Sequence, residues 1–201
     1  MLTQLTTDAP SLERHRLDDA HSIFSTDLPD RLRLNRSQFE EVWNMHPVAY
    51  TEIMMHGKKV LTPRWQQAFG KDYLYSGQSN RALPVPPLLL PLLEWSQTID
   101  PRLNGLLLNW YDGSKGHYIG KHRDSIANLV PDTPIVTISL GERRTFRLRP
   151  HGGTGMIDFE SKDSKVFVMP LSTNRAWTHE IPKTARALGR RISVTVRSFW
   201  S

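Results

Sequence analysis

The alternation of apolar and polar positions changes character partway along the chain. Residues 1–30 are polar and aperiodic, which predicts a loose N-terminal extension with short strands near Ile23 and Leu34. Ser37-Gln38-Phe39-Glu40 has the form of a capping box, Ser at the N-cap and Glu at N3. Phe39, Val42 and Trp43 follow at helical spacing, so a short helix is expected to run to about Met45, ahead of Pro47. A second helix is expected over 87–98, with prolines in its first turn and Leu89, Leu92, Leu93 and Trp95 packing.

Beyond residue 103 the period drops to two. Leu106–Tyr111, Ile135–Leu140, Thr145–Arg149, Lys165–Met169 and Ile192–Phe199 are β-prone runs parted by Gly, Pro, Asn and Asp clusters. This predicts a mainly β fold with flanking helices, an α+β arrangement around a double-sheet jelly roll or barrel. The expected organisation is an extension (1–30), a helical support (31–102) and a β core (103–201), together one compact domain.

Composition narrows the chemistry. At 201 residues the chain can bury one core. Having no Cys, it can form neither disulfides nor thiolate metal sites, so any metal is held by nitrogen and oxygen. A formal net charge of +6 favours polyanionic partners. The most apolar stretch, Leu83 to Trp95, is broken by four prolines and is shorter than the roughly 20 residues that cross a bilayer. Residues 1–20 carry Asp8, Glu13, Asp18 and Asp19 and no apolar signal core. A cytoplasmic monomer with no membrane contact is the expectation.

Two patterns carry reactive chemistry. His122-Arg123-Asp124 places an imidazole and a carboxylate two apart, on one face of an extended chain, and His179 is available as a third ligand. Two His and one carboxylate on one face of an octahedral ion leave positions open for a co-substrate and dioxygen. In the last strand, period two sends Ile192, Val194 and Val196 one way and Arg191, Ser193, Thr195 and Arg197 the other. Guanidinium groups on a strand covered on both sides must meet carboxylates. Six residues of strand span about 20 Å, but two arginines leaning together would clamp a small dicarboxylate.

These residues resemble the AlkB family of Fe(II)- and 2-oxoglutarate-dependent dioxygenases. Asn109-Trp110-Tyr111 leading to Ile119-Gly120-x-His122 is similar to the strand before that family's metal motif. Trp177-Thr178-His179-Glu180-Ile181-Pro182 is similar to its distal-His segment, and Pro63-Arg64 with Tyr73-Leu74-Tyr75-Ser76-Gly77 resembles its nucleotide-recognition lid. The resemblance covers roughly residues 52–200 and implies a double-stranded β-helix. It further implies Fe(II) on His122, Asp124 and His179. Arg191 would grip the distal carboxylate of 2-oxoglutarate, with Asn109, Tyr111 and Ser193 beside it and Arg197 nearer the iron. The implied reaction is oxidative decarboxylation of 2-oxoglutarate to succinate and CO2, coupled to hydroxylation of an N-methyl group that then leaves as formaldehyde.

The implied substrate is an alkylated base in DNA or RNA, which places the chain at a nucleoid or nucleus. Arg64, Tyr73, Tyr75, Ser76 and Ser125 are the expected substrate contacts, with Trp65 a further stacking candidate. Met54 and Met55, before Gly57-Lys58, would form an apolar wedge filling the gap left by a flipped base. Lys58, Lys59, Arg143, Arg147, Arg149, Lys183, Arg186 and Arg190 suggest a basic groove at the mouth. Ser125 stands where DNA-repair members of the family carry an acid, and Ser193 where they commonly carry Asn. That departure keeps open hydroxylation of a small molecule or peptide side chain, and a binding module without turnover is the third reading. His117 is close enough to the metal motif to be an outer-sphere candidate.

Overall fold

The structure, a computed structural model, describes residues 10–55, 57–75, 78–184 and 189–200. Its first half runs through β1 (Glu13–Arg16), β2 (Ser22–Asp27), α1 (Arg36–Trp43), β3 (Glu52–Met55), β4 (Lys58–Leu61), β5 (Trp65–Phe69), β6 (Tyr73–Tyr75), β7 (Gln78–Asn80) and α2 (Leu90–Gln97). The second half supplies β8 (Gly105–Asp112), β9 (Ile119–His122), β10 (Ile135–Gly141), β11 (Arg144–Pro150), β12 (Ile157–Ser161), β13 (Lys165–Met169), α3 (Leu171–Ala176), β14 (Trp177–Ile181) and β15 (Arg190–Arg197). Seven strands form a major antiparallel sheet in the order β1-β2-β13-β10-β15-β8-β5, and β12-β11-β14-β9 form a minor one. β3–β4 and β6–β7 are separate hairpins. The two facing sheets are the expected jelly roll. No helix among the described residues is long and apolar enough to cross a membrane.

Each face of the major sheet has its own cover, which explains the period-two runs. Ile192, Val194 and Val196 of β15 share the outer face with Leu106, Leu108 and Trp110 of β8 and Val136, Ile138 and Leu140 of β10. That face packs under α1 and α2 through Val42, Trp43, Leu92 and Trp95. The Trp110 indole donates to the Val42 carbonyl at 3.0 Å, so the docked helix satisfies the buried N–H. The inner face turns Leu107, Asn109, Tyr111, Thr137, Ser139, Ser193 and Thr195 toward the minor sheet, where Phe146 meets Phe167 at 4.9 Å between ring centroids.

Three expectations about the first half change. Residues 13–27 are not a loose extension: β2 pairs with β13 and buries Ile23 completely. The alternation there is hidden because the partly exposed strand buries Ser22 and Ser25 beside Ile23. Leu34 lies outside any strand, after a 3-10 turn at Asp30–Leu32. Helix α1 is capped two residues earlier than expected, by Asn35, whose side chain accepts from Gln38 N at 3.0 Å while Gln38 Oε1 accepts from Asn35 N at 2.9 Å. Glu40 is thereby released to pair with Arg190 on β15.

Gly141 ends β10 at φ +85°, and a Cβ there would lie 2.5 Å from the Arg190 carbonyl and 2.7 Å from the Phe39 ring. Gly141→Ala is therefore expected to lower unfolding free energy by about 2–4 kcal/mol, read by urea denaturation.

Candidate active site

β9 and β14 pair in the register His122↔His179, which sets the two imidazoles side by side with ring centroids 4.3 Å apart. Asp124 follows β9 on a loop fixed by α3. The Asn174 side chain accepts from Asp124 N at 2.9 Å and donates to Asp124 O at 3.1 Å. Asp124 Oδ1 then lies 3.6 Å from His122 Nε2 and 3.7 Å from His179 Nε2. All three ligand atoms fall within 4.8 Å of one another.

The protonation states suit a cation. His122 Nδ1 donates to the Gly120 carbonyl at 2.8 Å, which leaves its Nε2 lone pair facing the carboxylate. Burial, reinforced by the neighbouring His122 and Arg197 charges, pushes His179 down to about 3, so it is neutral at physiological pH. Burial alone would raise Asp124, but the Arg197 guanidinium outweighs it and holds the carboxyl well below its usual range. Two imidazoles and one carboxylate whose ligand atoms share one centre fit Fe(II).

The cleft beside this triad, about 590 Å³, is lined by Asn109, Tyr111, Arg191, Ser193 and Arg197, together with Arg64 and Tyr73. The two β15 arginines do not clamp one molecule between them. Arg197 is engaged by the protein's own carboxylate, donating to Asp124 Oδ2 from Nη2 at 2.6 Å and Nε at 3.1 Å, with Tyr73 beneath it at 4.7 Å. Arg191 has no such partner. Its Nη2 donates to Ser139 Oγ at 3.0 Å and Ser161 Oγ at 3.1 Å, while Nε and Nη1 are buried without a hydrogen-bond partner among the described residues. Burial depresses it to about 10. A buried guanidinium with two idle donors, lining the same cleft as the three ligand side chains, has the chemistry to accept a carboxylate.

Other expected contacts are distributed differently. Trp65 belongs to the outer face, stacked between His46 at 4.0 Å and Tyr50 at 5.4 Å, so its ring is not free for a base. Ser125 lines a second surface cleft with Ile126, Asn174 and Arg175. Met54 is exposed on β3; Ser76, Arg186 and the side chains of Met55 and Tyr75 lie outside the described residues. The supposed basic groove is largely neutralised. Arg143, Arg147 and Arg149 pair with Glu160, Asp158 and Glu180, Lys59 with Glu52, and Arg190 with Glu40. His117 is buried against Tyr50, accepting from Asp112 N through Nδ1, and touches none of the three ligands.

Sequence reading missed Ser139, Ser161, Gln66, Arg144 and Asn174. Ser139 and Thr137 shared the period-two face opposite Val136 and Ile138 and were open to the same reading as β15. Ser161 and Asn174 gave no signal, because their partners are distant in sequence. Arg144 donates to the His117 and Pro182 carbonyls at 3.1 Å, tying the ends of the cleft wall.

Comparison with known proteins gives the same picture. The family model described as the 2OG-Fe(II) oxygenase superfamily matches residues 25–197. Proteins named DNA oxidative demethylase ALKBH2 are 27% identical over 161 residues in Mus musculus, covering 74% of this chain and 67% of the relative. In Homo sapiens the figures are 27% over 161 residues, 74% and 61%, so the chain matches under two thirds of that relative. The solved structure of OsALKBH1, 13% identical, superposes with a TM-score of 0.60 over 94% of this chain and 100% of that one.

The depressed His179 pKa has a consequence for the metal-free protein. The unfolded chain takes up a proton near pH 6.5 and the folded one only near 3, so stability is lost as pH falls between these values. Acidification from pH 6.5 to 5 is expected to remove about 2 kcal/mol through this group, and His179→Gln to flatten that slope, both followed by urea denaturation.

Proposed function

The chain belongs to the 2OG-Fe(II) oxygenase superfamily, as an AlkB-family dioxygenase using Fe(II) and 2-oxoglutarate, and from that premise we propose that it oxidatively demethylates alkylated bases in DNA. The observation that carries the reading is a single cleft holding both the His122/Asp124/His179 donor set and a buried arginine with two unfilled donors. The ALKBH2 relatives, named as DNA demethylases, direct the substrate assignment toward nucleic acid and away from a small molecule. Acting on DNA, the chain works at a nucleoid or nucleus.

When bound, Fe(II) with 2-oxoglutarate and dioxygen supplies hydroxylation of an N-methyl group coupled to release of succinate and CO2, and the hemiaminal then loses formaldehyde. The protein's part is placement and exclusion of water. His122, Asp124 and His179 would hold the metal, and Arg197 keeps Asp124 ionised for that task. Arg191, oriented by the Ser139/Ser161 hydroxyls, which contact each other at 2.5 Å, would take the distal carboxylate of 2-oxoglutarate with its idle Nε and Nη1 donors. Asn109, Tyr111 and Ser193 line the same wall, while Leu107, Ile119, Phe146 and Ile181 keep the cleft dry. A base reaches the metal only when flipped from the stack. Met54, exposed on the β3–β4 hairpin, fills the vacated gap, and exposed Lys58 on the same hairpin meets backbone phosphate.

Incubation with Fe(II), 2-oxoglutarate and N-methylated oligonucleotides is expected to yield succinate and formaldehyde in equal amounts, with loss of the methyl mark by mass spectrometry. 2-Oxoglutarate consumption indifferent to every methylated oligonucleotide would sink the assignment. His122→Ala is expected to abolish both products and the thermal stabilisation by Mn(II). Ser161→Ala is expected to weaken 2-oxoglutarate binding about 5- to 10-fold in calorimetry on the Mn(II)-loaded protein, with kcat at saturating co-substrate unchanged.

A further inference from the structure

A polar row crosses the inner face of the major sheet. Gln66 of β5 lies opposite Asn109 of β8, Asn109 opposite Ser193 of β15, and Ser193 opposite Ser139 of β10. An arginine braces each end. Arg191 is held at the β10 end by the Ser139 and Ser161 hydroxyls. Arg64, two residues before Gln66 and 5% exposed, is held at the β5 end by two amides. Its Nε donates to Asn109 Oδ1 at 2.7 Å and its Nη2 to Gln66 Oε1 at 3.1 Å. The backbone beneath it is anchored as well, the Arg64 carbonyl accepting from the Thr62 hydroxyl at 2.9 Å and the Pro63 carbonyl from Tyr118 N at 3.1 Å.

Asn109 is the member of this row whose orientation matters. An amide turned about its last bond presents either an acceptor or two donors at the same place. A guanidinium has donors only, so the atom it meets must be the oxygen. That leaves Nδ2, which makes no hydrogen bond among the described residues, as the group Asn109 offers to the cleft it lines. With the amide reversed, an oxygen would meet an incoming carboxylate and repel it. Gln66 supplies the second anchor: with Nε and Nη2 both engaged, the planar guanidinium is kept from turning away from Oδ1.

We propose that Arg64, seated on Gln66, is a positioning residue for 2-oxoglutarate that acts through Asn109, fixing the amide so that its Nδ2 group is the donor to the co-substrate's oxygens. The proposal rests on the co-substrate reading and deepens it. Arg64 need touch neither co-substrate nor base, because its effect passes through the neighbouring amide.

The test is a double-mutant cycle on the full chain loaded with Mn(II), read by calorimetric titration of 2-oxoglutarate, so neither oligonucleotide nor turnover enters it. Arg64→Met is expected to weaken 2-oxoglutarate binding about tenfold in the parent, and about twofold or less once Asn109→Ala has removed the amide it orients. Asn109→Asp keeps the side chain's shape and its contact with Arg64 but turns an acceptor into the cleft, and is expected to weaken binding at least as much as Asn109→Ala. Mn(II) affinity is expected not to fall in Arg64→Met, since three other side chains hold the metal. Equal losses from Arg64→Met in both backgrounds would mean that the arginine acts directly or through its field, and overturn the proposal. No loss at all, a fall in Mn(II) affinity, or full binding by Asn109→Asp overturns it too. If Arg64→Met does not fold, Gln66→Leu takes its place in the cycle, keeping the arginine but removing its second anchor, with about a threefold loss expected in the parent and none beside Asn109→Ala. Failure of the parent to bind 2-oxoglutarate overturns the co-substrate reading and this proposal with it, whereas the other failures overturn this proposal alone.

Discussion

Asp124 and Arg197 face each other with almost no exposure, and most of the site follows from that ion pair. The carboxylate belongs to the loop after β9, the guanidinium to the last residue of β15, so the pair stitches the minor sheet to the major one. Removing either partner alone would strand a buried charge, an expensive defect that several kcal/mol of packing would have to offset. Because the arginine occupies Oδ2, the other oxygen is left to the two imidazoles. The same contact thus fixes sheet packing, ionisation state and ligand direction.

That pair is possible because β15 is buried on both faces with different chemistry on each. Its even positions meet the helices and its odd positions meet the cleft. A slip of one residue in the β8–β15 or β10–β15 register would turn Arg191 and Arg197 into the apolar layer under Trp110 and bring Val194 to the co-substrate wall. Hydrophobic burial on the outer face therefore acts as the register lock for the polar face. The cost of placing guanidinium groups in the interior is met in part by specific partners, Asp124 for Arg197 and the Ser139 and Ser161 hydroxyls for Arg191.

This division explains what could be read from the chain alone. The alternation in 191–197 announced both faces of β15, and the His122-x-Asp124 spacing announced half of the donor set, since each is a local pattern. His179 was a candidate by residue type, but its adjacency to His122 depends on the β9–β14 register. Ser161 had no local signal: its role comes from β12 crossing under β10 so that its hydroxyl meets Ser139. The α1 cap went astray because two overlapping tetrads compete for the role, and Asn35 with Gln38 won while Glu40 found Arg190. The paired surface arginines of β11 misled for a similar reason, since a strand sequence shows its cations and hides the acids that the neighbouring strands bring opposite them.

The three buried guanidinium groups of the cleft differ in the chemistry of what holds them, and that difference separates their roles. Arg197 is held by a carboxylate, so its charge is spent within the protein and its task is to orient a ligand. Arg191 is held by two hydroxyls, which fix its plane without neutralising it and leave two buried donors without a partner among the described residues. Arg64 is held by two amides, which likewise preserve its charge where it lines the cleft. Neutral acceptors satisfy a guanidinium's geometry while exporting its field, whereas a carboxylate ends that field at the contact. Where a fold invests neutral acceptors in a buried arginine, its charge remains available to whatever enters the site.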